Sequence, residues 1–215
     1  MALPPFVLEQ LGRPHGRLAA LTGFFLNRAN ARAIREAIAT LELRPGQRVV
    51  EVGFGGGYSL SVLLRAVGAE GHVFALELSD ELLARARRRY IVPRMQGRLR
   101  IDRAPVEQLP LADASFDAAL SMHTIFFWTD VDRGLDELAR VLKPGGRLVL
   151  GLGEPEMLTK AGFAAHGHRV VVPERLAEHM PAHGFERVAI HRAGRESVLV
   201  SALRSNSPPP TPRAP

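Results

Sequence analysis

Val49-Val50-Glu51-Val52-Gly53-Phe54-Gly55-Gly56-Gly57-Tyr58-Ser59 is the stretch whose reading decides the fold. Preceded by Gly46-Gln47-Arg48, it opens with a short β-branched run, which predicts a buried parallel strand. The run ends in four glycines within five positions, a turn able to adopt positive φ and to let a ligand touch bare backbone. From Tyr58 the spacing becomes helical, with Leu60, Leu63, Leu64 and Val67 on one face and Gly68 as the stop. Strand, glycine loop and helix together aim exposed N–H groups at whatever lies over the helix N-terminus.

The next unit narrows the ligand. Gly71-His72-Val73-Phe74-Ala75-Leu76-Glu77 reads as a second strand, and Glu77 stands twenty residues after Gly57 (77 − 57). A carboxylate there can accept hydrogen bonds from both ribose hydroxyls of a nucleoside. The competing assignment is a cap on the helix that begins near Ser79-Asp80-Glu81. A dinucleotide fingerprint requires a small residue at its third glycine position, and counted from Gly53 that position is Tyr58.

The pattern Glu-x-Gly-x-Gly-x-Gly, from Glu51 to Gly57, instead resembles motif I of class I S-adenosylmethionine-dependent methyltransferases, and the resemblance runs roughly from Gly46 to Ala202. It implies an α/β, Rossmann-like, doubly wound, mostly parallel seven-stranded sheet with helices on both faces and a C-terminal β-hairpin. It also implies S-adenosylmethionine as cofactor, S-adenosylhomocysteine as product, and cofactor contacts from Glu51, Gly53, Phe54, Gly55, Gly57, Glu77 and Leu78. Ala104-Pro105-Val106-Glu107-Gln108-Leu109-Pro110-Leu111 resembles the family block Gly-Asp-Ala-Glu-x-Leu-Pro-Phe, whose acid takes the adenine amino group. Here Pro105 replaces that acid, which leaves the Val106 N–H for the ring and moves the lost contact to backbone or to Asp102. Losing one such bond costs about 0.5–1.5 kcal/mol, too little to abolish binding.

Phe116 to Met122 matches the family's Ser-Phe-Asp-x-Val strand and delivers Ser121, His123 and Thr124 to the carboxyl edge of the sheet. Ser121 and His123 are therefore expected at the cofactor, and His123, with an ordinary pKa near neutrality, is the candidate general base. Ile125-Phe126-Phe127-Trp128 supplies aromatic faces suited to a sulfonium, or simply to core packing. An amphipathic helix over Asp130–Leu142, closed by Lys143-Pro144-Gly145-Gly146, leads to a fifth strand, Arg147–Leu152. A helix from Glu174 to Met180 precedes a hairpin of Arg187–Ile190 and Ser197–Ala202.

Domain boundaries fall at 1–45 (a helical cap), 46–204 (the methyltransferase domain) and 205–215 (a proline-rich disordered tail). In the cap, Leu18, Leu21, Phe24, Phe25 and Leu26 form one patch and Ile34, Ile38 and Leu41 another, with Asn30 as N-cap of a second helix. Pro4-Pro5 and Glu9 break any signal peptide, no apolar run is long enough to span a membrane, and a cytoplasmic setting is expected.

Composition removes other chemistry. The absence of cysteine excludes disulfides, thiolate metal sites and cysteine nucleophiles. His166 and His168 have no matching third ligand, so no metal is expected. The net charge of +6 is almost all arginine. The arginines of Asp80–Tyr90 and beyond read as a solvated face rather than a nucleic-acid surface, since no stacking aromatics are interleaved beyond Tyr90. The expected partner is a small-molecule acceptor, by in-line transfer to O, N or C, with homodimerisation open. A nucleic-acid methyltransferase, a nicotinamide-dependent oxidoreductase and a non-catalytic protein of the same fold are the alternatives.

Overall fold

The computed structural model describes residues 19–194 and 196–206, with side chains described from Asn30 onward. The expectations for Leu3–Leu18, for the Leu21–Leu26 patch and for most of the tail fall outside the described residues.

Strand β1 (Arg48–Val52) shows how the core divides. Its Val50 and Val52 enter one apolar cluster and Val49 the other, as alternation across a pleated strand requires. Around it β2 (His72–Glu77), β3 (Leu99–Arg103), β4 (Phe116–Met122), β5 (Leu142–Gly153), β6 (Phe185–Ala193) and β7 (Ser197–Arg204) build one seven-stranded sheet in the order β3-β2-β1-β4-β5-β7-β6. β1 pairs in parallel with both β2 and β4, and only β7 runs antiparallel, against β5 and β6. The strand order reverses between β1 and β4, so a crevice opens beyond their carboxyl ends.

Helices cover both faces. α1 (Ala19–Thr40), α2 (Tyr58–Ala66) and α3 (Asp80–Arg89), followed by the short α4 (Ile91–Met95), lie on the Val49 side, where Ala37, Ile38, Leu41, Leu60, Leu63 and Leu83 are buried. α5 (Val131–Val141), α6 (Pro155–Ala161) and α7 (Pro173–His179) lie on the other, with Leu135, Leu138, Leu158 and Leu176 turned inward. α3 begins as its residues dictate: the Ser79 side chain accepts from Leu82 N–H, acids occupy the first turn, and Arg87, Arg88 and Arg89 the last. Several arginines read as a free basic face instead cap carbonyls, Arg87 reaching Ile101 O at 3.1 Å and Arg98 reaching Leu64 O at 2.9 Å.

Three local expectations are corrected. Asn30 does not start a helix but lies within the continuous α1, because Ala33, Ile34, Ala37 and Ile38 bury one unbroken stripe and packing outweighs a capping preference. Glycine does not end α5: the chain turns extended at Leu142 (ψ 138°), and Gly145, at φ +74°, sits inside β5. The register between β4 and β5 jumps there, from Phe116 opposite Leu142 to Ala118 opposite Arg147. The final hairpin is longer than its expected core because Phe185 and Arg204 also pair.

Gly134 in α5 is required by contact rather than by φ. A Cβ there would stand 2.7 Å from the ring of buried Trp128 and 3.2 Å from Val106. Gly134→Ala gains about 1 kcal/mol of helix propensity but forces a clash worth about 1–3 kcal/mol. The variant is expected to melt several degrees lower; a thermal scan showing a higher midpoint would contradict this packing.

Candidate functional site

The loop after β1 is shaped by its neighbours. Gly53 (φ +75°) faces Thr124, whose Cγ2 would lie 2.3 Å from an added Cβ, so the β1 and β4 ends meet over bare backbone. Behind the loop the Tyr90 hydroxyl donates to Gly57 O at 2.6 Å, and Arg35 of α1 reaches the Tyr58 hydroxyl at 2.8 Å. Tyr58, which excludes a dinucleotide fingerprint, thus holds α1 above the loop.

Glu77 closes the loop from β2. Its Oε2 accepts from Gly55 N–H at 3.0 Å, and its Oε1 accepts from Leu78 N–H at 2.8 Å and Ser79 N–H at 3.2 Å. The carboxylate therefore fixes the start of the α3 turn, as the capping alternative required, and it also stands on the cavity wall.

That cavity, about 390 Å³, lies at the sheet's reversal point, within the size of small-ligand sites. Of the residues expected at a cofactor, Glu51, Gly53, Phe54, Gly55, Glu77, Leu78, Pro105, Val106 and His123 all reach its wall. Ser121 and Gly57 do not line it. Ser121 is buried because Trp128 Nε1–H donates to Thr124 Oγ1 (3.0 Å), Thr124 hydrogen-bonds Ser121, and Ser121 Oγ–H donates to Val52 O (2.9 Å). This chain of donors locks the β1–β4 junction from behind. Gly57 is occupied as the N-cap of α2 and as acceptor for Tyr90. Asp102, considered as a stand-in for the missing acid at Pro105, pairs with Arg100 and is off the wall.

Glu51 is 1% exposed, and its Oε2 has no hydrogen-bond partner among the described residues. Burial pushes its pKa up to about 8, with a hydrogen bond to Ser59 pulling weakly the other way and the Glu77 carboxylate adding to the rise. A buried acid with an unmatched oxygen on a cavity wall suits a ligand bearing a positive charge or a donor. His123 takes the left-handed conformation (φ +57°), with N–H donating to Gly151 O at 2.8 Å and Nε2 3.0 Å from Ser197 Oγ. Burial lowers its pKa to about 4, against a hydrogen bond to the Leu152 backbone that favours the proton. The expectation of a near-neutral pKa is corrected accordingly: the imidazole is uncharged at pH 7.

The remaining wall is apolar and aromatic. Phe126 meets Phe163 edge-on at 5.7 Å between ring centroids, while Phe127 meets His168 at 5.0 Å. Phe126 and Phe163 are buried yet face the cavity with Trp128, Met157, Leu158 and Ala161, so core and lining are the same residues. Sequence reasoning missed Asn30 and Ile34 of α1, Met157 of α6, and Glu196 and Ser197 at the β6–β7 turn. It also missed Glu107, whose Oε1 accepts from Thr129 N–H (2.7 Å) and Thr129 Oγ1–H (2.9 Å) and so holds the segment entering α5. Only the Glu in the Ala104–Leu111 block carried a local signal. His166 Nδ1 is 2.8 Å from Gly162 O, and His168 meets the Phe127 ring edge-on.

Comparison with known proteins agrees with this geometry. Residues 50–150 match the methyltransferase-domain family. The chain is 36% identical over 107 residues to the ubiquinone/menaquinone biosynthesis C-methyltransferase UbiE of Vibrio campbellii, covering 50% of this chain and 41% of that protein. A 37.1 kDa transposon protein of Streptomyces fradiae is 35% identical over 120 residues, covering 55% of this chain and 34% of its own length. The chain thus spans less than half the length of these curated relatives. Among solved structures, a SAM-dependent methyltransferase from Aquifex aeolicus superposes with a TM-score of 0.69 at 21% identity, over 94% of this chain and 99% of that one. A geranyl diphosphate C-methyltransferase from Streptomyces coelicolor, solved with Mg2+, geranyl diphosphate and S-adenosyl-L-homocysteine, superposes at 0.68 and 17% identity, over 90% and 88%. Residues 50–150 thus match the methyltransferase-domain family, and the fold of the described residues is that of solved SAM-dependent methyltransferases.

Glu51 generates a pH prediction. Its folded pKa lies above the unfolded value of 4.5, so the unfolded chain loses this proton first and stability falls as pH rises from about 4.5 to 8. Glu51→Gln keeps the shape without the proton. Denaturant titration should find the variant's advantage over the natural protein larger at pH 8 than at pH 5 by more than about 1.4 kcal/mol, the worth of one pKa unit; an equal difference at both pH values contradicts the assignment.

Proposed function

We propose that the protein transfers a methyl group from S-adenosylmethionine to a small, largely apolar acceptor held against the Phe127–Phe163 side of the cavity. The observation that carries this reading is the two-sided wall. One side offers the Gly53–Gly56 backbone, the Glu77 carboxylate and the unmatched Glu51 oxygen; the other offers aromatic rings and Met157. These residues fit the cofactor: Glu77 suits ribose hydroxyls, Leu78, Leu82 and Pro105 suit the adenine faces, and the unmatched Glu51 oxygen offers an acceptor to the N–H donors of the amino-acid end.

The cofactor supplies a methyl already activated on sulfonium, so the chain's task is to align and to exclude water, which can contribute about 7–11 kcal/mol. Phe126, Trp128 and Phe163 keep water out, and their ring faces favour a cation. His123, uncharged, adds no repulsion beside that cation. Its low basicity suits an acceptor whose proton leaves late or does not block transfer, in keeping with carbon acceptors, the class named for the UbiE and geranyl diphosphate relatives.

Parallel calorimetric titrations with S-adenosylmethionine, S-adenosylhomocysteine and NAD test the proposal. Micromolar binding of the first two and none of the third is expected. Glu77→Ala should weaken S-adenosylmethionine binding by about 1.5–3 kcal/mol, since it removes charge-assisted bonds. Binding of NAD alone, or an unchanged affinity in the variant, overturns the reading; tight binding with no turnover on any apolar acceptor assigns the chain to non-catalytic binding.

His123 has its own test. Because its pKa sits near 4, it contributes no inflection to a pH–rate profile between pH 6 and 8. If it accepts the acceptor's proton, His123→Asn lowers kcat by about 10²–10⁴-fold with cofactor affinity retained; an unchanged kcat removes it from the chemistry.

A further inference from the structure

Away from the cavity, three metal-ligating side chains converge where α7 and the turn of 3-10 helix after it (Met180–His183) lie on α5. His179 Nε2 is 2.7 Å from Asp132 Oδ1, His183 Nε2 is 3.0 Å from His179 Nε2, and His183 Nε2 is 3.7 Å from Asp132 Oδ1. His179 and His183 are one helical turn apart, and Asp132 arrives from the first turn of α5, 47 residues before His179 in sequence. On its far side His183 Nδ1 is 2.7 Å from Asp136 Oδ1.

The hydrogen count of this cluster is informative. A carboxylate only accepts, so His183 Nδ1 is the N–H that donates to Asp136, and in the neutral ring Nε2 then carries a lone pair. That lone pair points at His179 Nε2 and Asp132 Oδ1. A single hydrogen on His179 Nε2 has to serve both Asp132 and His183. One cation at the centre would serve all three donor atoms at once. In a tetrahedral site the ligand atoms lie about 3.3 Å apart, an edge that follows from metal–N and metal–O distances near 2.0–2.1 Å. The observed separations, 2.7, 3.0 and 3.7 Å, straddle that value, so rotations of exposed His179 and Asp132 suffice to form the site. His183, 8% exposed, is already fixed, and its Asp136 partner forms the carboxylate–histidine–metal arrangement that orients metal-binding imidazoles.

We propose that Asp132, His179 and His183 form a binding site for one borderline divalent transition-metal ion, of which Zn2+ is the representative. Two imidazoles and one carboxylate select against Mg2+ and Ca2+, which require oxygen ligands. With three protein ligands the fourth position is left to solvent. The ion bridges α5 to α7 and the turn after it, whose Leu176 and Met180 are anchored in the core. It thereby clamps the end of the chain segment that carries Phe163 and Arg169, the latter donating to Thr129 O at 2.9 Å beside the cavity. The site is independent of the methyl-transfer reading and stands or falls without it.

The test uses untagged protein, stripped with chelator and titrated with Zn2+ by calorimetry and by competition with a chromophoric chelator. One ion per chain with micromolar or tighter affinity is expected, as is a rise in melting temperature of about 5–10 °C at a zinc concentration one hundred times Kd. Mg2+ should produce neither effect. His179→Gln and Asp132→Asn, at exposed positions, should retain the far-UV spectrum and lose at least tenfold in zinc affinity; Asp136→Asn should lose about 10–100-fold through the imidazole it orients. No binding by the natural protein, binding of several ions, or equal affinity in His179→Gln would overturn the proposal.

Discussion

The carboxylate of Glu77 is the interaction on which the rest of this site depends. Three backbone N–H groups, from Gly55, Leu78 and Ser79, end on its two oxygens. Gly53 N–H ends on Leu76 O and Gly57 N–H on Phe54 O, so Gly55 N–H is the loop donor that Glu77 holds, and through it the acid ties the loop after β1 to the end of β2. A hydrogen bond to a charged acceptor contributes about 1.5–3 kcal/mol where a neutral one contributes about 1, so a single acid can hold a segment with so much intrinsic freedom. A carboxylate accepts about four hydrogen bonds. Three accounted for leaves capacity on the oxygens that face the cavity, and structural and ligand-binding roles coexist in one group.

The polarity of the cavity follows from which groups are charged. Glu51 holds its proton near neutral pH and His123 gives its up, both through burial, although one is an acid and the other a base. Desolvation thus removes two charges that a reading by residue type would count. What faces a ligand is the Glu77 carboxylate, bare amide groups and aromatic rings, an environment biased toward cations and poor in strong bases. A site of this kind favours reactions in which alignment carries most of the barrier.

The sheet was legible because its information is local. Glycines after a β-branched run and an acid at the end of the next strand each mark a strand end within a few residues. What was not legible is what depends on distant neighbours. Asn30 has the chemistry of a cap, yet the stripe from Ala33 to Leu41 packs so continuously that the helix runs through it. Ser121 stands two residues before His123 at the same strand end, but its hydroxyl is taken up by Val52 O and Thr124, behind the cavity wall. Ser197 gave no signal, since its place opposite His123 follows only from β7 running antiparallel to β5. The Asp132–His179–His183 cluster was half hidden: His179 and His183 stand at a local ligand spacing of four, but Asp132 is 47 residues away from His179 and joins them only through the packing of α7 beside α5.

The division between local and distant information is also a division of the cavity. The segment matched to the methyltransferase family, residues 50–150, contains Glu51, the glycine loop, Glu77, Pro105 and the residues from Met122 to Trp128. Outside it lie Asn30 and Ile34, then Met157, Leu158, Phe163 and Ser197, which complete the wall. The part of the chain that matches the family model thus carries the glycine loop and Glu77, and residues on either side of it complete the aromatic part of the wall. A relative's acceptor carries over to this chain only so far as its own late segments place similar side chains against the aromatic side. Under the proposed function, Met157, Phe163 and Ser197, which line the cavity outside residues 50–150, are the positions where substitution would alter acceptor choice.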